Sequence, residues 1–394
     1  MPSRRGVIAG GAGAAVLAAL GYRAWDRGVF SAGEGRAYAA WNEWQGHAGE
    51  GPARRPLHAA ILAASAHNSQ PWMFEPHEDS ITVYADLSRN LGAADPCRRE
   101  LYASIGCALA NLQLAALTFD LDAIIHQNAG RLEPTHATNV VEVAKISLIA
   151  RMDPGLRSTL QPLVDAIPNR HTNRGYYQHG NPVDAATLGK LGSRAAFITD
   201  KAAMKDFGAL IVEGTRRFIA DRQMSEDSGR WLRTGRREVE EHRDGIATDN
   251  AGLSSVTNAL AKLMPDQTVT GADRYWLAST REVQVPTAAA FGVLFTTDRF
   301  AIAEAIAAGT NWQMLHLAAT SFDLAAQPLN QPIEMMDRDL VLGRKNDYGK
   351  EIRRMAGVKT GDPAFIFRLG YPEDAALPSP RRPFDAVIRS TGVA

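Results

Sequence analysis

The chain has 394 residues and only two cysteines, Cys97 and Cys107. Two thiols cannot build a disulfide framework, and no Cys-x-x-Cys or mixed Cys/His spacing of a metal site occurs. Cys107 falls in an apolar helical pattern and reads as a small buried hydrophobe. An excess of either charge is missing too: 43 Lys and Arg balance 43 Asp and Glu. No global field therefore draws the chain to nucleic acid or to a membrane surface. Basic clusters at Arg216 and Arg217 and between Arg233 and Arg243 read as solvated faces, while Arg381 and Arg382 stand apart in a proline-bracketed tail. Strands and helices do not alternate as in a parallel βαβ series, which points to an α+β arrangement. Apolar residues make up 45% and charged residues 22%, an ordinary globular composition with ample material for more than one core.

The amino terminus carries a pattern of its own. Ser3-Arg4-Arg5-Gly6-Val7-Ile8 precedes an uncharged Gly/Ala/Val/Leu stretch to about Leu20, then Arg23. That is the order of an export signal, and the paired arginines with a glycine-rich apolar region resemble a twin-arginine signal. No clean A-x-A site follows, so the segment (1–25) is expected to export the protein to the periplasm or to keep it membrane-anchored. With about 15 apolar residues it is short for a spanning helix.

The chain also repeats itself. Gly106–Leu121, GCALANLQLAALTFDL, returns as Gly309–Leu324, GTNWQMLHLAATSFDL, with eight of sixteen positions identical and no gap. The spacing is far longer than the roughly 20 to 50 residues of a solenoid or propeller repeat. It suggests two fused copies of one domain, over 50–160 and 165–390. Copies of a symmetric dimer unit share an isologous interface, and a fused chain can keep one interfacial site while losing the other.

Apolar spacing predicts a short helix from Leu57 to Ala66, a long buried helix from Glu100 to Leu121, helices from Ala203 to Ala220 and from Arg299 to Leu324. β-Branched runs predict strands from Ser80 to Ala85, Val140 to Met152, Phe291 to Thr297 and Ala364 to Leu369. The stretch from Asp221 to Pro286 has no counterpart in the first half. Such an insertion is a lid, a partner surface or a helical excursion without function.

Three stretches can carry chemistry. In Ala64-Ser65-Ala66-His67-Asn68-Ser69-Gln70-Pro71-Trp72, small residues allow close backbone approach to a ligand, Asn68 and Gln70 offer amides, and Trp72 offers a wall. The same residues also suit a helix-ending turn over a buried tryptophan. Asn169-Arg170-His171-Thr172-Asn173-Arg174 places two guanidinium forks and a hydroxyl where they can clamp a phosphate, or can form a surface charge cluster. Ser379, Arg381 and Arg382 make a second phosphate contact conceivable. Gln327-Pro328-Leu329-Asn330-Gln331-Pro332-Ile333-Glu334 suits a rim for a planar heteroaromatic ring, or a plain helix-exit loop.

Together these stretches resemble the FMN-dependent nitroreductase family. SAHNSQPW is similar to its S-x-x-N-x-Q-P-W motif, and Arg170 to Arg174 to its phosphate-binding arm, R-x-[ST]-x-[RK]. Pro328 to Gln331 sits where the family has its loop facing flavin N5, and Arg381 matches its basic carboxy-terminal position. The resemblance implies an α+β nitroreductase-like fold in two fused, degenerate copies, as in Acg-type single-chain pseudo-dimers. It implies an FMN site built from Ser65, Asn68, Ser69, Gln70, Arg170, His171, Thr172, Arg174, Pro328, Leu329, Asn330, Gln331 and Arg381, with no catalytic side chain and no metal. The first copy supplies the Asn-Ser-Gln-Pro-Trp segment and the second supplies the rest. No second such segment occurs, and Arg54-Arg55-Pro56 lacks the arm pattern, so one site is complete and its pseudo-symmetric mate is dead. The implied activity is ping-pong electron transfer from NAD(P)H or another small-molecule donor to an electron-poor acceptor, in a monomer, without nucleic acid. Asn330-Gln331 replaces the Glu-Gly pair common in simple nitroreductases, which leaves flavin sequestration without turnover as the alternative.

Overall fold

A computed structural model describes residues 18, 19, 21–47, 49–151, 155–192, 195–265 and 268–390. The Arg4-Arg5 pair, most of the apolar stretch behind it and Met152 lie outside the described residues.

Two four-stranded antiparallel sheets organise the chain. The first contains β1 (Trp72–Pro76), β2 (Ser80–Asp86), β3 (Leu121–Gln127) and β4 (Val140–Ala150) in the order β1-β2-β4-β3, with helix α1 (Arg99–Leu117) between β2 and β3. After α2 (Gly155–Ala166) come β5 (Ala195–Ile198), α3 (Lys201–Ala220) and an excursion holding α4 (Arg222–Gly229), α5 (Arg236–His242), α6 (Ser255–Leu263) and α7 (Val269–Ser279). The second sheet then continues with β6 (Ala290–Thr296), α8 (Ile302–Ser321), β7 (Ala325–Pro328), α9 (Gln331–Val341) and β8 (Asp362–Gly370), ordered β5-β6-β8-β7. Strand order, pairing sense and the position of the long helix are the same in both sheets. This is an α+β fold, with helices packed against antiparallel sheets rather than threaded between parallel strands.

Helices α1 and α8 form the centre. Every residue of α1 except Gln113 is buried, as expected of a helix apolar on nearly all faces. This helix is long and apolar enough to cross a membrane, yet it lies inside the protein. Asp95 caps it by accepting from the Glu100 and Leu101 amides at 3.1 and 3.0 Å. Both long helices end earlier than their apolar pattern predicts, at Leu117 and Ser321. The cause is the same in each: Asp120 (φ 56°) and Asp323 (φ 57°), equivalent in the repeat, adopt the left-handed conformation that stops a helix. Leu121 consequently opens β3 rather than closing α1.

The crossing of α1 and α8 is reciprocal. A Cβ on Gly309 would collide with the Ala103 carbonyl, and one on Gly106 with the Ile306 carbonyl and the Thr310 amide. The Cys107 thiol donates to Gly309 O at 3.2 Å and the Thr310 hydroxyl to Gly106 O at 3.1 Å. Residue i meets j where the counterpart of j meets the counterpart of i, the pattern of an isologous contact. Gly309→Ala is therefore expected to cost about 3 kcal/mol or more, because backbone must move. Gly189→Ala, in open space, is the control in a urea unfolding series; equal midpoints for the two variants would contradict the close packing.

Elsewhere the elements depart modestly from the sequence pattern. The helix predicted over Leu57 to Ala66 is α-helical only at Leu57–Ala60, and a 3-10 turn follows at Ala66–Asn68. The cluster from Arg233 to Arg243 is not wholly a solvated face: Arg233 is buried, with Nε and Nη2 on Asp244 Oδ1 at 3.0 and 2.6 Å.

Candidate functional site

Packing of the insertion over the two central helices leaves a cavity of about 510 Å³, within the usual size of a ligand site. Its floor comes from α1 and α8 through Ala103, Ser104, Cys107 and Trp312, and its roof from the insertion through Ser228, Leu232, Thr248, Ala261 and Trp276.

The arm after α2 brings Arg170, Thr172 and Arg174 to one end. Arg170 is 3% exposed; its Nη2 donates to Leu62 O at 3.2 Å and its Nη1 lies 3.4 Å from His316 Nδ1. Arg381 is also 3% exposed, donating to the same Leu62 carbonyl at 3.2 Å and to Asn68 Oδ1. Arg174 donates to Asn250 O at 3.1 Å. Among the described residues none of these three arginines forms an ion pair, and the Nε atoms of Arg170 and Arg381 are buried without a partner. Burial holds Arg170 and Arg174 down at about 10, and Arg381 is depressed well below the usual guanidinium value by burial and by Arg170. Unpaired, desolvated cations are costly, so this end is built for an anion.

The motif loop holds the tail in place. His67, Asn68 and Gln70 all have positive φ, near 50°, a conformation that costs non-glycine residues free energy and persists where surrounding bonds enforce it. Here Ser65 Oγ accepts from the Gln70 amide at 3.0 Å, Ser104 Oγ from the Ala66 amide at 3.0 Å and Gln313 Oε1 from the Ala64 amide at 3.1 Å. The Asn68 amide donates to Gly245 O at 3.0 Å and Pro380 O at 2.9 Å. Gln70 donates to Arg243 O at 3.0 Å and accepts from the Arg382 amide at 2.9 Å. His67 Nε2 lies 2.8 Å from Ser228 Oγ; burial and the Arg174 charge lower its pKa to about 4, so the ring is neutral.

The opposite end is acidic. Glu100, in the first turn of α1, accepts from Asn330 Nδ2 at 2.9 Å and from Arg99 at 3.3 Å. Glu334, in the first turn of α9, also lines the wall. Burial raises the Glu100 carboxyl to about 7 and pushes Glu334 well above the ordinary range, with the Glu100 charge adding to the effect. The Gln331 Oε1 atom is buried there without a partner.

No protein-family model matches the chain. Two Mycobacterium tuberculosis proteins named "Putative NAD(P)H nitroreductase", from strains CDC 1551 and H37Rv, are each 24% identical over 357 residues, 85% of this chain and 90% of theirs. The chain is similar to these two proteins over most of both lengths. Among solved structures, a "putative nitroreductase" from Anabaena variabilis aligns with a TM-score of 0.42 and 12% identity, over 79% of this chain and 82% of its own. The FMN-dependent nitroreductase NfnB of Mycobacterium smegmatis, solved with NADPH, aligns with a TM-score of 0.33 and 16% identity, over 59% of this chain and 98% of its own.

Of the residues that the nitroreductase resemblance singles out, Ser65, Asn68, Arg170, Thr172, Arg174, Pro328, Asn330, Gln331 and Arg381 line the one cavity. Four do not. Ser69 and Gln70 are buried beneath the loop, and Gln70 has its amide occupied by Arg243 and Arg382. Leu329 is wholly buried in the apolar cluster under the second sheet. His171 packs edge-on against Trp41, ring centroids 4.5 Å apart, and is held down to about 3 by burial. Asn68 lines the wall but spends its amide on the insertion and the tail, so it positions Arg381.

Residues that support the cavity from behind went unnoticed in the sequence. Trp41 lies beneath Arg381 and Arg170, 4.6 and 6.0 Å from ring to guanidinium carbon, and donates to Ser379 O at 2.8 Å. The buried Arg368 ties β8 to the arm, donating to Gly175 O at 2.7 Å and Gln327 Oε1 at 2.7 Å. Neither has a local signal; a proline-rich tail ending in two arginines is the nearest hint that a platform is needed.

Proposed function

We propose that this chain is an FMN-binding oxidoreductase. The observation that carries the reading is the convergence of the buried Arg170 and Arg381 and the half-buried Arg174 on one cavity end, without a carboxylate partner among the described residues. These residues fit FMN: the arginines with orphaned Nε atoms line an end suited to its phosphate, Thr172 adds a hydroxyl, and the rest of the wall suits a ring. When bound, FMN supplies two-electron transfer between a donor and an acceptor in turn, the ping-pong pattern. The chain's own part is to hold and shield. The arginines clamp the phosphate, Trp41 fixes two of them, and Ser65 presents its hydroxyl beside them. Asn330 and Gln331 supply amide groups at the other end, and Glu100 with Glu334 holds protons there. NAD(P)H is the donor that the nitroreductase homologues suggest, with an electron-poor small molecule as acceptor.

The duplicated sheet order and the reciprocal helix crossing support a reading as two fused copies, over 50–160 and 165–390, forming a pseudo-dimer that works as a monomer. One observation favours the second reading, flavin sequestration. The insertion is bonded to the motif loop at Asn68, Gln70 and His67, so the roof is fixed rather than hinged there.

An absorbance spectrum before and after anaerobic NADPH tests these readings. A band near 450 nm that bleaches is the expected result. Bleaching only with dithionite would favour sequestration or another donor, and a colourless protein would end the flavin reading.

A further inference from the structure

Only four residues of the cavity wall are exposed among the described residues: Met264, Pro265, Val269 and Tyr275. The cavity therefore opens at the C-terminal end of α6 and the start of α7. An unpartnered apolar face leads up to this mouth. Val256 and Leu260 along one side of α6 and Met264 just past its end, spaced by four, are 71%, 58% and 63% exposed. Residues 21–28 run alongside: Arg23 donates to Leu263 O and Met264 O at 2.9 and 2.8 Å, and Lys262 donates to Gly28 O at 2.9 Å. On that segment Tyr22 and Trp25 are exposed, 6.0 Å apart, and Phe30 just beyond it is more exposed still. A grouped patch of this kind, unlike scattered surface leucines, marks an interaction surface.

We infer that this patch rests on a lipid bilayer and turns the cavity mouth toward it, so that the second ligand is a quinone-class molecule carried in the membrane. The inference rests on the oxidoreductase reading. The occupant is argued from the chain itself. The segment leading into Tyr22 is uncharged and apolar from Gly6 to Leu20, too short to span but suited to lie in the same lipid. Tyr and Trp are the side chains that settle at a bilayer surface. Arg23 bonds the first segment to α6, so whatever holds residues 6–20 also brings Val256, Leu260 and the mouth to the same plane. A molecule dissolved in the bilayer then reaches the wall at Met264 and Val269 without crossing water. The quinone takes up two electrons from reduced flavin and two protons, and leaves as the quinol.

The test uses full-length protein whose flavin has been reduced with dithionite, and compares wild type with Val256→Glu/Leu260→Glu. The acceptors are a long-chain isoprenoid quinone in phosphatidylcholine–phosphatidylglycerol vesicles and a short-chain, water-soluble quinone. Wild type is expected to reoxidise with both; the double variant should keep its rate on the soluble quinone and lose roughly tenfold on the vesicle quinone. Equal rates for the two proteins on vesicles, or a wild type inert toward vesicle quinone alone, would overturn the inference. Failure with both quinones, or absence of flavin, would instead count against the oxidoreductase reading. Docking is then read separately, from quenching of Trp25 by brominated lipid measured against Trp25→Phe: quenching supports a lipid-facing patch, and none refutes it.

Discussion

Replacing Arg170 and Arg174 together with alanine is expected to strip the protein of co-purifying flavin. Each guanidinium lost removes a charge-assisted contact to phosphate worth about 1.5 to 3 kcal/mol, so the pair amounts to at least a hundredfold in Kd. The same substitutions have the opposite effect on the flavin-free protein. Arg170 and Arg174 are held near 10 by burial without a carboxylate in return, and removing an uncompensated buried charge relieves strain on the order of a few kcal/mol, partly offset by the space left behind. Urea unfolding of flavin-free samples should show the double variant no less stable than wild type. Stoichiometric flavin in the double variant would remove the basis for the assignment; a large loss of flavin-free stability would mean that the arginines are structural.

The second large effect lies at the acidic end and appears as a pH dependence of stability. Glu100 titrates at about 7 in the folded protein and Glu334 well above its ordinary value, both chiefly through burial. A carboxyl whose folded pKa is raised contributes stability that is fully present below its unfolded value of about 4.5 and is lost as pH climbs through the folded value. The protein should therefore lose stability between about pH 5 and pH 8, by roughly 3 kcal/mol for Glu100 alone. Glu100→Gln and Glu334→Gln keep the shape and drop the titration, so their Tm should be higher than wild type at pH 8 and their pH profiles flatter. Parallel profiles for all three proteins would show that the carboxylates are solvated and available as ordinary anions.

Much of this arrangement could be read along the chain, and the parts that could not share a cause. The two long helices declare themselves because α1 is apolar on nearly every face, and the Gly106/Gly309 repeat reported that something structural occurs twice. Strand β3 stayed hidden, since Leu121 continues the apolar rhythm of α1 and only the left-handed Asp120 breaks it. The arm and Arg381 were legible as residue types suited to a phosphate, and the motif loop as small and amide residues suited to a ligand's flank. That Gln70 and Ser69 lie beneath the loop was not legible, because the partners that draw Gln70 inward, Arg243 and Arg382, are more than 170 residues away. Trp41 and Glu100, the partner of Glu334 on the wall, escaped for the same reason: a lone tryptophan or glutamate carries no mark of what folds over it. Local pattern reports local chemistry, whereas a wall assembled from distant segments is decided by packing.

The platform under the arginines also bears on the timing of synthesis. Ala37 O accepts from the Arg381 amide at 2.7 Å, and Trp41 donates to Ser379 O, so an early segment and a late one meet behind the arginines. A chain emerging in order from the ribosome completes the first sheet and both central helices while Arg381 is still unmade. The anion end then exists only as a half-built cup, and the cofactor has nothing to close on it. On the FMN reading, capture of flavin is consequently a post-release event, and truncation just before Arg381 should yield a folded but colourless protein.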